Sequence, residues 1–140
     1  MGSEHCCELF SPARRTCYRA QCLATARGVA ERLEIPEGQW SVSFQSGLGR
    51  EPWTRPNTET TLKSLGGRGV ERLFVLCPSF VADCPETLEE IGIRGKETYH
   101  SAGGGELTLV PCLNDHPAWI EAICSILVRQ IDPAECAYPN

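Results

Sequence analysis

A chain of 140 residues with 41% hydrophobic and 22% charged side chains has the make-up of one globular domain, long enough to bury a single core. Its net charge of −5 leaves no basic stripe for a nucleic acid, and no stretch approaches the roughly 18 apolar residues needed to span a membrane. Nine cysteines, an odd number without a C-x-x-C pair, fit a reduced intracellular protein, and their spacing supports neither a structural zinc nor an iron–sulfur cluster.

The opening "MGSEHCCELF" is too acidic and too short for a transit peptide, and residues 1–17 read as a poorly ordered N-terminal segment. From Tyr18 to Leu33, Cys22, Ala26, Val29, Ala30 and Leu33 recur at helical spacing, and Pro36 ends the run. In "WSVSFQS", Trp40, Val42 and Phe44 alternate with serines, predicting a strand. Asn57 is placed to cap a short helix through Leu65 that Gly66 and Gly67 stop. "ERLFVLCP" follows, apolar without alternation from Leu73 to Leu76, as expected of a parallel strand covered on both faces. A helix is predicted from about Cys84 to His100, and a third strand in "ELTLVPCLN". Asp115 opens a last helix whose Trp119, Ala122, Ile123, Ile126 and Leu127 form one apolar stripe, with Trp119 in the core. Residues 18–131 read as the domain and 132–140 as a loose tail.

Alternating helices and strands predict an α/β, Rossmann-like or chelatase-like three-layer domain, a short parallel sheet flanked by helices. Ligands of such sheets sit outside the carboxyl ends of the strands. Three loops leave those ends: "QSGLGREPW", "CPSFVADCPE" and "PCLNDH". The second carries Asp83, Cys84 and Glu86, and Glu89 and Glu90 follow at once, so a crowd of acids stands on the ligand side.

The stretches "VSFQSGLGREPWTRP", "VLCPSFVADCPETLEEI" and "AGGGELTLVPCLNDHPAWI" resemble the ferrochelatase family in its proteobacterial form, and "YRAQCLATA" fits the helix before them. The resemblance runs from about Tyr18 to Leu127 and corresponds to the C-terminal half of a family that holds its porphyrin between two similar α/β domains. It implies a lyase that inserts ferrous iron into protoporphyrin IX to form protohaem. Iron and porphyrin are then substrates, and no permanently bound cofactor is expected. It also implies a bacterial cytoplasmic setting, with peripheral attachment to a membrane left open, and a pocket completed by a homodimer partner or by a missing N-terminal half.

Removing two pyrrole protons suits a neutral imidazole, and delivering ferrous iron suits carboxylate oxygens, which do not trap it as thiolates would. By resemblance, Glu86 is the catalytic glutamate and His5, in "SEH", the proton acceptor; His5, Asp83, Glu86 and Glu90 form the metal-facing set. Gln45, Ser46, Trp53 and Phe80 are the implied porphyrin contacts, with Trp53 stacking on the macrocycle.

Simpler roles compete. "DCPE" makes a good helix start, with Asp83 as N-cap and Glu86 closing a capping box, and Glu90 can pair with Arg94 four residues on. Cys84 reads better as a buried thiol than as a metal ligand, and His100 and His116 read as surface residues. The chain also departs from the family pattern. Gly47 replaces a usual basic residue, Asn57 a tyrosine, Ser79 a glycine and Pro85 a leucine, and no apolar strand precedes His5. A second function therefore stands beside the first, a catalytically inactive half-length remnant that binds porphyrin or haem or does nothing alone.

Overall fold

A computed structural model of the chain describes residues 16–45 and 53–130. In order these form α1 (Tyr18–Arg32), α2 (Thr58–Gly67), β1 (Arg72–Val75), a π-helix (Glu86–Gly95), α3 (Lys96–Ser101), β2 (Glu106–Leu109) and α4 (Pro117–Gln130). His5, Ser46, Gly47 and both segments expected to be loose lie outside the described residues, save Thr16 and Cys17 ahead of α1.

The small α/β architecture follows the sequence pattern. β1 and β2 pair in parallel, from Arg72 opposite Glu106 to Val75 opposite Leu109, and the Val110 N–H extends the ladder to the Val75 carbonyl at 2.9 Å. The π-helix and α3 make the crossover. The core forms where they meet α2: Leu62, Tyr99 and Leu107 are buried, with Leu65, Val70, Leu73 and Val75 packed around them. Tyr99 is fully enclosed, and its hydroxyl donates to the Val70 carbonyl, which satisfies a polar tip in an apolar setting.

α2 starts as read: the Asn57 side chain accepts from the Thr60 N–H at 3.2 Å. Its end is closed by the Arg68 N–H on the Ser64 and Leu65 carbonyls, with Gly69 following at φ +69°.

Four expectations change. "WSVSFQS" forms no strand among the described residues; Phe44 makes a single parallel bridge to Asn57 and is buried beneath Tyr18, ring centroids 6.2 Å apart. The predicted helix from Cys84 to His100 is two helices, the first wound with i→i+5 hydrogen bonds. β1 is covered on one face, since Phe74 is 67% exposed while Leu73 and Val75 pack inward. α4 starts at Pro117, and its apolar stripe is not core: Trp119 and Ile123 are half-buried, and Ile126 and Leu127 exposed.

Candidate active site

The carboxyl ends of β1 and β2 deliver the segments 76–84 and 110–116 side by side. After β1 the chain turns at Cys77–Phe80, the Phe80 N–H donating to the Cys77 carbonyl at 3.0 Å, and Phe80 is half-buried. Tyr18 of α1 reaches this turn through its hydroxyl, 3.3 Å from the Ser79 hydroxyl.

Asp83 sits where the two segments meet. Its Oδ2 accepts from the Asn114 amide at 2.8 Å, and its Oδ1 accepts from the Cys112 N–H at 3.2 Å. In return the Asp83 N–H donates to Asn114 Oδ1 at 2.9 Å. The Asn114 amide, first among these donors, with the Cys112 N–H and thiol and the Thr87 hydroxyl, holds the Asp83 carboxyl below its ordinary pKa against the opposing effect of desolvation.

The helix start lacks the expected cap: Pro85 precedes the π-helix, and among the described residues no side chain accepts from its first turn. Thr87, fully buried, accepts the Cys84 N–H at 3.0 Å and shares its own proton between Asp83 Oδ1 and the Cys84 carbonyl. This is one half of a capping box; the Thr87 N–H goes to the Cys84 carbonyl at 3.0 Å instead of to a side chain. Glu86 takes no part, and among the described residues its exposed carboxylate has no side-chain partner.

Glu90, one turn on, is held. Gln45 donates to its Oε2 at 2.6 Å and Arg94 lies 3.4 Å from its Oε1. The Arg94 guanidinium is closer to Glu89, at 2.7 Å, because a helix closed by i→i+5 bonds brings i,i+5 side chains together. Gln45 also anchors Trp53, whose indole N–H donates to the Gln45 carbonyl at 3.1 Å while half of the ring stays exposed. The expected contacts Gln45 and Trp53 are therefore joined to Glu90 in one polar chain.

Gly92 and Gly95 let the wide helix lie close to its neighbours. A Cβ on Gly92 would come within 3.2 Å of Leu109 on β2, and one on Gly95 within 3.1 Å of Leu62 on α2. Three thiols stand nearby. Burial first, then Cys84 and Asp83, raises the Cys77 pKa; burial, then the Asp83 carboxylate, pushes Cys112 up to about 11. Cys84 is half-buried. Among the described residues no three His, Cys, Asp or Glu side chains are spaced to hold a metal ion. His100 and His116 are exposed, and His116 Nδ1 accepts the Ala118 N–H at the start of α4.

Asn114 and Thr87 are absent from the residues singled out in the sequence. The signal for Asn114 lay in "CLND", an Asn in a loop at a strand's carboxyl end, where its left-handed φ of +48° is one that Asn tolerates better than most residues.

No helix among the described residues is long and apolar enough to cross a membrane. A family model described as Ferrochelatase matches residues 6–131. The chain is 58% identical over 125 residues to the ferrochelatase of Pseudomonas entomophila (strain L48), covering 89% of this chain and 37% of that protein. It is 58% identical over 127 residues to the ferrochelatase of Azotobacter vinelandii (strain DJ / ATCC BAA-1303), covering 90% of this chain and 38% of the relative. The chain thus spans little more than a third of the curated relatives it matches. Over that span the parallel sheet, the acid-bearing helix at its carboxyl edge and the matched sequence agree, and the chain belongs to the ferrochelatase family.

Proposed function

We propose that this chain serves in inserting ferrous iron into protoporphyrin IX, the lyase step that yields protohaem in haem biosynthesis. The observation that carries this reading is the pair Glu86 and Glu90 at the carboxyl edge of the sheet, the first without a side-chain partner among the described residues and the second held by Gln45 and Arg94. Insertion exchanges two pyrrole protons for the metal ion, so the site needs a base and oxygen ligands that bind ferrous iron and release it. His5 is the proposed proton acceptor, and Glu86, without a side-chain partner among the described residues, the proposed catalytic glutamate. His5 and Glu90 complete the proposed metal-facing set, with Asp83 beside them engaged by Asn114, Cys112 and Thr87, and Gln45, Ser46, Trp53 and Phe80 are the proposed porphyrin contacts. Iron is a substrate here, and no resident cofactor is invoked.

The chain spans little more than a third of its matched relatives, and the proposed pocket is completed by a homodimer partner or by a missing N-terminal half. The reaction belongs in the bacterial cytoplasm, where ferrous iron stays reduced.

The test is anaerobic insertion of iron or zinc into protoporphyrin by the 140-residue chain, with Glu86→Gln and His5→Ala alongside. Loss of a general acid–base group lowers turnover by roughly 10²–10⁴-fold, and both His5→Ala, which removes the proposed proton acceptor, and Glu86→Gln, which removes the proposed catalytic glutamate, are expected to do so. Turnover that survives Glu86→Gln would sink the assignment of Glu86. Porphyrin binding without turnover would leave the chain a binding protein.

A further inference from the structure

Asp83 and Asn114 form a two-way clasp between the loop after β1 and the loop after β2. The side chain of Asn114 donates to Asp83 Oδ2 at 2.8 Å and accepts the Asp83 N–H at 2.9 Å. The Asn114 backbone N–H donates to the Val81 carbonyl at 2.8 Å, and its amide also reaches the Cys112 carbonyl at 3.2 Å. Asp83 Oδ1 accepts the Cys112 N–H and the Thr87 hydroxyl, both at 3.2 Å. Its two oxygens thus take three donors, two from the 112–114 loop and one from the first turn of the π-helix. That turn begins at Glu86.

We propose that Asp83 and Asn114 are positioning residues, a latch that fixes the first turn of the π-helix, and so the carboxylate of Glu86, against the carboxyl end of β2. Asp83 then acts through its hydrogen bonds rather than by contact with the metal. The catalytic part of this inference rests on the chelatase reading above; the latch itself does not. A carboxylate whose acceptors are already engaged is a poor metal ligand, while a carboxylate three residues on and held in place is a good one.

The bonding pattern is nearly symmetric to exchange, which supplies the test. In Asp83→Asn one oxygen becomes an NH2, which sets donor against donor at either the Asn114 amide or the Cys112 N–H. In Asn114→Asp two carboxylates face each other. In the double variant the amide introduced at position 83 donates to the carboxylate introduced at position 114. The backbone N–H of residue 83 keeps its acceptor there, and the Cys112 N–H and Thr87 hydroxyl keep theirs; the Cys112 carbonyl loses its donor from position 114.

Hydrogen exchange of the amides from Cys84 to Ile91 should speed up roughly tenfold or more in each single variant and return toward the wild-type rate in the exchanged pair. Where the full chain turns over, kcat should fall by roughly 100-fold in the single variants with the porphyrin KM unchanged, and recover in the pair. Asn114→Ala added to Glu86→Gln should slow the reaction no further. Unchanged exchange in the single variants, or no recovery in the pair, overturns the latch. A loss that appears in KM alone overturns the positioning role. If the wild-type chain shows no turnover, the chelatase reading fails by itself, and the exchange rates decide the latch.

Discussion

Protonating Asp83 removes acceptor capacity on which Asn114, Cys112 and Thr87 all draw. Its pKa in the folded chain lies below the unfolded value. The stability contributed by its charged form is therefore complete above the unfolded pKa and is lost as the pH falls through the folded one. The midpoint of urea unfolding, followed downward in pH through the carboxylate range, should drop less steeply for Asp83→Asn than for the wild type. Equal slopes would show that the clasp does not depend on charge. At this scale the sequence offered two roles for Asp83, helix cap and metal ligand, and "DCPE" admitted both. Its main partner, Asn114, lies 31 positions away, so local spacing held no trace of it. Glu86 was easier to place, since its position at the sheet's carboxyl edge followed from strand direction alone.

Elements meet closely where glycine permits. A Cβ on Gly66 of α2 would come within 2.6 Å of the Tyr99 carbonyl oxygen and 2.8 Å of the Ala102 Cβ. Alanine improves an exposed helix position by up to about 1 kcal/mol, but forcing a methyl into such a contact costs about 1–3 kcal/mol. Gly66→Ala should therefore destabilise the chain in urea unfolding, while Gly67→Ala, with open space around it, should not. A stabilising Gly66→Ala would mean that α2 and α3 pack less tightly than described. The helix positions were legible because apolar residues recur along them. The π-helix was not. Its buried positions Thr87, Ile91 and Gly95 recur every four residues, a step that keeps one face on an α-helix and on the wider helix alike. What distinguishes the two is the hydrogen-bond register, and its clearest side-chain trace is the Glu89–Arg94 pair five residues apart.

Over the whole molecule, the apolar run of β1 and the stripe of α4 promised two-sided burial that the described residues do not provide. Phe74, Leu76, Ile120, Ile126 and Leu127 are each about half exposed or more. Periodicity reports which surfaces suit contact with other apolar groups. It cannot report whether the chain that would make the contact is present, and this chain matches little more than a third of its relatives' length. Exposed apolar surface of this kind binds hydrophobic dyes. The 140-residue chain should raise the fluorescence of anilinonaphthalene sulfonate at neutral pH, with a smaller rise after Phe74→Ser or Ile126→Ser. A dye signal no higher than that of a compact monomeric control would show these faces to be covered in solution.

The parallel pairing of β1 with β2 also dictates an order of events as the chain folds. Arg72 cannot meet Glu106 until everything between them, the π-helix and α3 included, has been made and drawn back across the sheet. Turns of helix form in less than about a microsecond, whereas closing a connection of that length and docking two strands is slower and carries its entropy cost in advance. A newly synthesised chain therefore holds its acid-bearing segment before it holds the edge on which that segment is displayed. Until residues 106–114 emerge, Asp83 has no Asn114 to grip, and the strand that ends beside it lacks β2.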